Sequence, residues 1–166
     1  MLIREIKPDD AESFVYLIKQ VEAEAEFMLM EAGERKISPE QQRKGLEQLG
    51  KESNSTIFVA EQEGGKLLGY LIVIGGNARR TKHSVYLVIG ISTQYQGLGI
   101  GTKLFKQLEE WATLHNIHRL ELSVVTRNKA GLRLYKKMGF EIEGTKRHSL
   151  LIDGEFVDEY YMSKLL

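Results

Sequence analysis

The chain has 166 residues, 42% of them apolar, which is the length of one domain and enough apolar material for a single core. Lys plus Arg and Asp plus Glu number 23 each, so no net field draws the protein to nucleic acid or to an anionic membrane, and recognition by charge has to be local. The absence of cysteine removes disulfides, thiolate metal sites and an acyl-cysteine intermediate together.

In chain order, Leu2 to Ile6 alternate enough for a first strand. After Pro8, Asp9 reads as a helix cap with Glu12 closing a capping box, and Phe14, Leu17, Ile18 and Val21 form the apolar stripe that follows. Ser38-Pro39-Glu40-Gln41 repeats that grammar with proline at the first helical position, and opens a weakly amphipathic second helix through Leu46 and Leu49. Thr56 to Gln62 and Leu67 to Ile74 are rich in strand formers and flank Gly64-Gly65, the mark of a tight antiparallel hairpin. Ser84 to Ser92 is a nearly continuous apolar run, so a central strand covered on both faces is expected there.

That strand runs into a glycine-rich turn, Gln96-Gly97-Leu98-Gly99-Ile100-Gly101. From Thr102, Leu104, Phe105, Leu108, Trp111 and Ala112 recur at helical spacing, and Arg119 to Val125 reads as the next strand. Asn128 can cap another helix, with Gly131, Leu134, Tyr135 and Met138 on one face and Gly139 as its stop. Phe140 to Lys146 and Glu155 to Ser163 are closing strands around a turn at Asp153-Gly154. No repeat, low-complexity segment or linker interrupts the chain, so one domain over 1–166 is expected. The apolar runs are too short to span a bilayer and Met1-Leu2-Ile3-Arg4 does not open a secretory signal, which makes a cytoplasmic location the default.

Glycines at 97, 99 and 101 remove three Cβ atoms where a strand becomes a helix, letting backbone N–H groups converge on an anion at the positive helix end. Taken alone, the same glycines also suit a loop that needs them only for its backbone angles. A dinucleotide fingerprint starting at Gly97 requires glycine where Thr102 stands, and the Gly-Lys-Ser/Thr triplet of a Walker motif occurs nowhere. A hydride-transferring enzyme and a nucleotide hydrolase are therefore disfavoured.

Gln96-x-x-Gly99-x-Gly101 after an apolar strand resembles the pyrophosphate signature of the GNAT superfamily of N-acetyltransferases. Asn128 with Leu134-Tyr135-Lys136-Lys137-Met138-Gly139-Phe140 resembles that family's next motif. The departures are Gln96, where the family often has arginine, and Thr93, where it often has proline. The resemblance implies a mixed α/β (α+β) fold: a mostly antiparallel twisted sheet of about six to seven strands with a splayed central pair, flanked by about four helices. It also implies acetyl-CoA as co-substrate, with Ile89, Gly90 and Ile91 pairing with the pantetheine arm and Gln96, Gly97, Leu98, Gly99, Ile100, Gly101 and Thr102 around the pyrophosphate. By the same resemblance Asn128 and Tyr135 contact the cofactor, Tyr135 is the general acid, and no metal takes part.

The chemistry sets its own demands. An alkyl amine with a pKa near 10.4 is neutral in only about one molecule in 2,500 at pH 7, so supplying the free base is worth roughly 4 to 5 kcal/mol. The coenzyme leaves as a thiolate, which a phenol such as Tyr135 can protonate. By position alone Tyr135 is also a core tyrosine and Asn128 also a helix cap. Glu22, Glu24, Glu26, Glu31 and Glu34 crowd the segment after the first helix, and Glu26 and Glu31 are candidates to grip or deprotonate the amine. His83 reads either as reaching the cleft mouth or as a surface residue before its strand, with the surface reading favoured. Of the basic clusters Arg79/Arg80/Lys82 and Arg127/Lys129/Arg133, the second is better placed for a ribose phosphate.

The expected function is direct acetyl transfer to a primary amine of a small molecule or protein through a ternary complex, possible homodimerisation included, with no nucleic-acid or membrane partner. The alternative is an acyl-CoA-binding or regulatory module that has lost catalysis.

Overall fold

The structure, a computed structural model, describes all residues from Met1 to Leu166. Seven strands form one sheet in the order β1-β2-β3-β4-β5-β7-β6: β1 (Leu2–Glu5), β2 (Thr56–Glu61), β3 (Leu67–Gly75), β4 (Ser84–Ile91), β5 (Arg119–Val125), β6 (Glu141–Ile152) and β7 (Glu155–Leu165). Every neighbouring pair is antiparallel except β4 with β5. Four helices flank it: α1 (Ala11–Glu24), α2 (Pro39–Leu49), α3 (Ile100–Leu114) and α4 (Lys129–Lys137). This is the mixed, mostly antiparallel architecture the resemblance implies.

The sheet separates two apolar cores. On one face Phe14, Leu17, Ile18 and Val21 of α1 pack with Leu46 of α2 against Ile57, Val59 and Tyr70. On the other, Leu104, Phe105, Leu108 and Trp111 of α3 meet Phe58, Leu71, Leu87, Leu120 and Leu122, and Tyr135 of α4 closes the cluster. The odd positions of β4 face the second core and Val88 the first, as the period of two dictates.

Three expectations need correction. Helix entry is not at Asp9 with Glu12: Pro8–Asp10 forms a short 3-10 turn, and the carboxylate of Asp10 accepts the Lys7 N–H at 2.8 Å while Asp9 pairs with Arg43. Proline at the first position starts the turn earlier than the polar cap suggested. The strand after α4 continues beyond Lys146 to Ile152, because a register irregularity with His148 at φ 54° breaks the alternation without ending the strand. Finally, β4 is central but not covered on both faces, since Tyr86 is exposed and Ile89 and Ile91 are half-buried. Pairing explains this: β5 stays beside β4 only from Ser84↔Arg119 to Tyr86↔Glu121, and the two strands then part.

Candidate active site

The separation leaves Ile89, Gly90 and Ile91 paired to β3 on one side and facing an open gap on the other. Beyond Ile91 a second 3-10 turn, Thr93–Tyr95, delivers the chain to the glycine segment. Gly97 and Gly99 take φ of 76° and 81°, and a Cβ at either would meet nothing within 4 Å, so both are required by backbone angle and both border open space. Gly101 has a different task. Its missing Cβ would lie 2.8 Å from Leu134 Cδ2, so this glycine lets α3 and α4 pack closely.

Lys103 donates the first intrahelical bond of α3, to the Gly99 carbonyl at 3.1 Å, which leaves the N–H groups of Ile100, Gly101 and Thr102 ahead of it without intrahelical partners. Free N–H groups at the positive end of a helix are suited to hold an anion. Leu98 is exposed and Ile100 is buried in the core beneath the turn. The Gln96 side chain folds back to donate to the Ile91 carbonyl at 3.2 Å, bracing the turn against the end of β4.

Sequence reasoning missed one cation here. Lys137, in the last turn of α4, donates from Nζ to Thr102 Oγ1 at 3.2 Å and so places a positive charge at the start of α3. Of the basic cluster favoured from the sequence, Arg127 is instead engaged with Glu155 at 3.1 Å, and Lys129 and Arg133 are exposed.

Asn128 caps α4: its Oδ1 accepts the Gly131 N–H at 2.9 Å, and a Cβ at Gly131 would press within 2.7 Å of the Asn128 side-chain nitrogen. Two turns beyond Asn128, Tyr135 is buried, its ring held edge-on by Phe105 at 6.0 Å and Phe140 at 6.2 Å between centroids. Burial pushes the Tyr135 phenol up to about 12, with Tyr86 adding to the shift, so it stays protonated throughout the neutral range.

The acidic segment divides. Glu22 is buried and makes a bidentate pair with Arg35, two bonds of 2.8 Å that tie the loop between α1 and α2 to the end of α1. Its place was legible: Val15, Ile18 and Glu22 share one helical face. Glu24 accepts the Thr93 N–H at 2.9 Å, which joins α1 to the turn after β4; Thr93, through its side chain first and this N–H second, holds the carboxyl below the usual range. Glu26 and Glu31 lie exposed on the loop and neither forms an ion pair, and His83 is likewise exposed.

Two buried side-chain oxygens lack a hydrogen-bond partner, Tyr70 Oη and Ser92 Oγ. They flank the free stretch of β4: Tyr70 is opposite Gly90 in the register, and Ser92 follows Ile91. No group of three or more acidic or histidine side chains is arranged to hold a metal ion, and no helix is long and apolar enough to cross a membrane.

Comparison with known proteins matches residues 18–140 to the model of the acetyltransferase (GNAT) family. The L-amino acid N-acetyltransferase AaaT of Escherichia coli is 31% identical over 102 residues, 61% of this chain and 63% of that protein. Across the first such relatives the matched region spans about half to two thirds of their length. Among solved structures, a GNAT-family acetyltransferase from Streptococcus pneumoniae superposes with a TM-score of 0.95 at 33% identity, covering 99% of each chain. The yncA protein of Salmonella typhimurium, solved with its cofactor acetyl-CoA, shares the fold, with a TM-score of 0.87 at 18% identity over 100% of this chain and 94% of that one.

Proposed function

The chain belongs to the acetyltransferase (GNAT) family, and from that premise we propose that it transfers the acetyl group of acetyl-CoA directly to a primary amine, carried by a small molecule or by a protein. One observation carries the reading. The free edge of β4 at Ile89–Ile91 and the unpartnered N–H groups at the start of α3 adjoin, so a strand-like arm and an anionic group find partners side by side.

The donor set fits a pantetheine diphosphate. Ile89, Gly90 and Ile91 would hold the arm as an added strand, and the turn from Gln96 to Thr102, with Lys137, would hold the pyrophosphate. The bound thioester supplies an activated acyl carbon and a thiolate leaving group. Tyr135 supplies the protonated phenol. Burial raises the Tyr135 phenol well above an ordinary thiol, so full proton transfer to the departing thiolate is uphill. Its contribution is therefore a hydrogen bond that steadies the departing sulfur while solvent completes protonation. Asn128, its carbonyl spent on the cap, retains two N–H donors for the arm.

The acceptor enters from the face carrying α1, α2 and their loop, because α3 and α4 occupy the other. Glu26 and Glu31 on that loop are assigned to gripping the amine, their charge favouring a cationic acceptor at the mouth of the cleft.

The test is release of free thiol from acetyl-CoA across a panel of amines, together with thermal stabilisation by acetyl-CoA. Stabilisation with thiol release is expected. Stabilisation without release from any amine establishes a binding module instead, and no stabilisation refutes the cofactor assignment.

A further inference from the structure

Tyr70 is the largest fully buried side chain of the protein, yet its hydroxyl has no hydrogen-bond partner. Such a group is costly to bury, and a phenylalanine would fill the same space without the cost. Its placement shows what the hydroxyl faces. Tyr70 lies opposite Gly90, and a Cβ on Gly90 would sit 2.5 Å from Tyr70 Cζ and 2.6 Å from Oη. The far end of the phenol therefore lies over Gly90 itself. The ring starts on β3 and reaches over the backbone of β4 at Gly90, where that strand has no side chain and where β5 no longer pairs with it.

The surroundings keep the ring in that position. Phe14 of α1 packs edge-on at 5.5 Å between centroids, and the Glu22–Arg35 pair closes the loop nearby. Burial first, and the Glu22 carboxylate second, raise the Tyr70 phenol above its ordinary value, with Arg35 opposing, so the group is a neutral hydroxyl at every physiological pH. It has one proton to give and two lone pairs to offer, and nothing in the folded chain takes either.

We propose that Tyr70 receives the acceptor: its hydroxyl oxygen accepts an N–H of the incoming amine and aims the nitrogen lone pair into the gap between β4 and β5, with Gly90 kept bare so that the phenol can reach. This rests on the acetyltransferase reading. Tyr135 and Tyr70 then stand on opposite faces of the sheet, one on the leaving-group side and one on the entering side. Glycine at position 90 acquires a role separate from its backbone, because any larger residue collides with the phenol.

The test is Tyr70→Phe, assayed with spermidine, L-lysine and a peptide with a free amino terminus as acceptors, beside thermal denaturation and acetyl-CoA titration. The expected result is an unchanged or higher Tm, acetyl-CoA affinity within twofold of wild type, and an amine KM raised at least tenfold for the best acceptor of the panel. Gly90→Ala, which pushes the phenol aside, raises the same KM. A purely structural ring would leave the amine KM unchanged, so the kinetic readout and not the Tm discriminates. An unchanged amine KM in Tyr70→Phe overturns the assignment and leaves the transferase reading standing. Absence of thiol release by the wild-type protein with every amine overturns the transferase reading, and this assignment with it.

Discussion

Asn128 caps α4 and is proposed to hold the coenzyme as well, and substitution can separate the two. Its Oδ1 caps α4 through a single 2.9 Å bond from the Gly131 N–H, which leaves its amide N–H groups for the proposed coenzyme contact. Asn128→Ala removes both. Loss of the cap costs about 1 kcal/mol, and in a chain of 166 residues that lowers the thermal midpoint by roughly 2–4 °C. Asn128→Asp keeps an oxygen at the cap and puts negative charge at the positive helix start, so its midpoint should equal or exceed that of the wild type. It has no amide donors, however, and it sets an anion against the polar arm of the ligand. Acetyl-CoA affinity should therefore fall about tenfold, near 1.4 kcal/mol, in both variants. Differential scanning fluorimetry reads the first effect and titration calorimetry the second. Wild-type affinity in Asn128→Asp would show that the amide has no part in binding, and an unchanged midpoint in Asn128→Ala would refute the capping argument.

Lys137→Ala should weaken acetyl-CoA binding about tenfold with little change in Tm, because the lysine is exposed and its charge is spent at the start of α3; the loss should shrink as salt is raised in the titration buffer. Arg35→Ala should destabilise the protein by about 3 to 5 kcal/mol in urea unfolding, since it strands the buried Glu22 carboxylate; Glu22→Gln should cost less, because Arg35, at 30% exposure, can turn to water. The Arg4 guanidinium, followed by the Lys7 N–H, holds Asp10 below the ordinary carboxylate range. The stability this supplies is complete above the unfolded pKa near 4 and is lost as pH falls through the lower folded value. Acid unfolding of Arg4→Met should therefore begin at a higher pH than that of the wild type, by circular dichroism.

Much of this architecture is written locally. The strand Arg119–Val125 coincides with its expected bounds, Ser38 caps α2 with Gln41 returning to it, and Gly139 ends α4 at φ 93°. Each rests on a few adjacent residues, which is where periodicity and capping chemistry act. The shape of the cleft does not. That β5 abandons β4 after three paired positions depends on how β7 and the two cores seat β5, and no window of sequence contains those contacts. The same distance in the chain hid Lys137 from Thr102 and Tyr70 from Gly90. The long closing strand was cut short for another reason, since His148 interrupts the alternation that defines a strand in sequence.

The parting of β4 and β5 also divides the molecule mechanically. Strands β1 to β4 carry α1 and α2 and own a private core, whereas β5, β6 and β7 depend on the core they share beneath α3. Three paired positions are the only sheet continuity between the halves. A ligand that lies along the free edge of β4 then acts as a splint across a seam, and the backbone amides of Val88 to Ile91 that face the seam become reporters of it: quick to exchange with deuterium in the empty protein, and slowed when the edge is bridged.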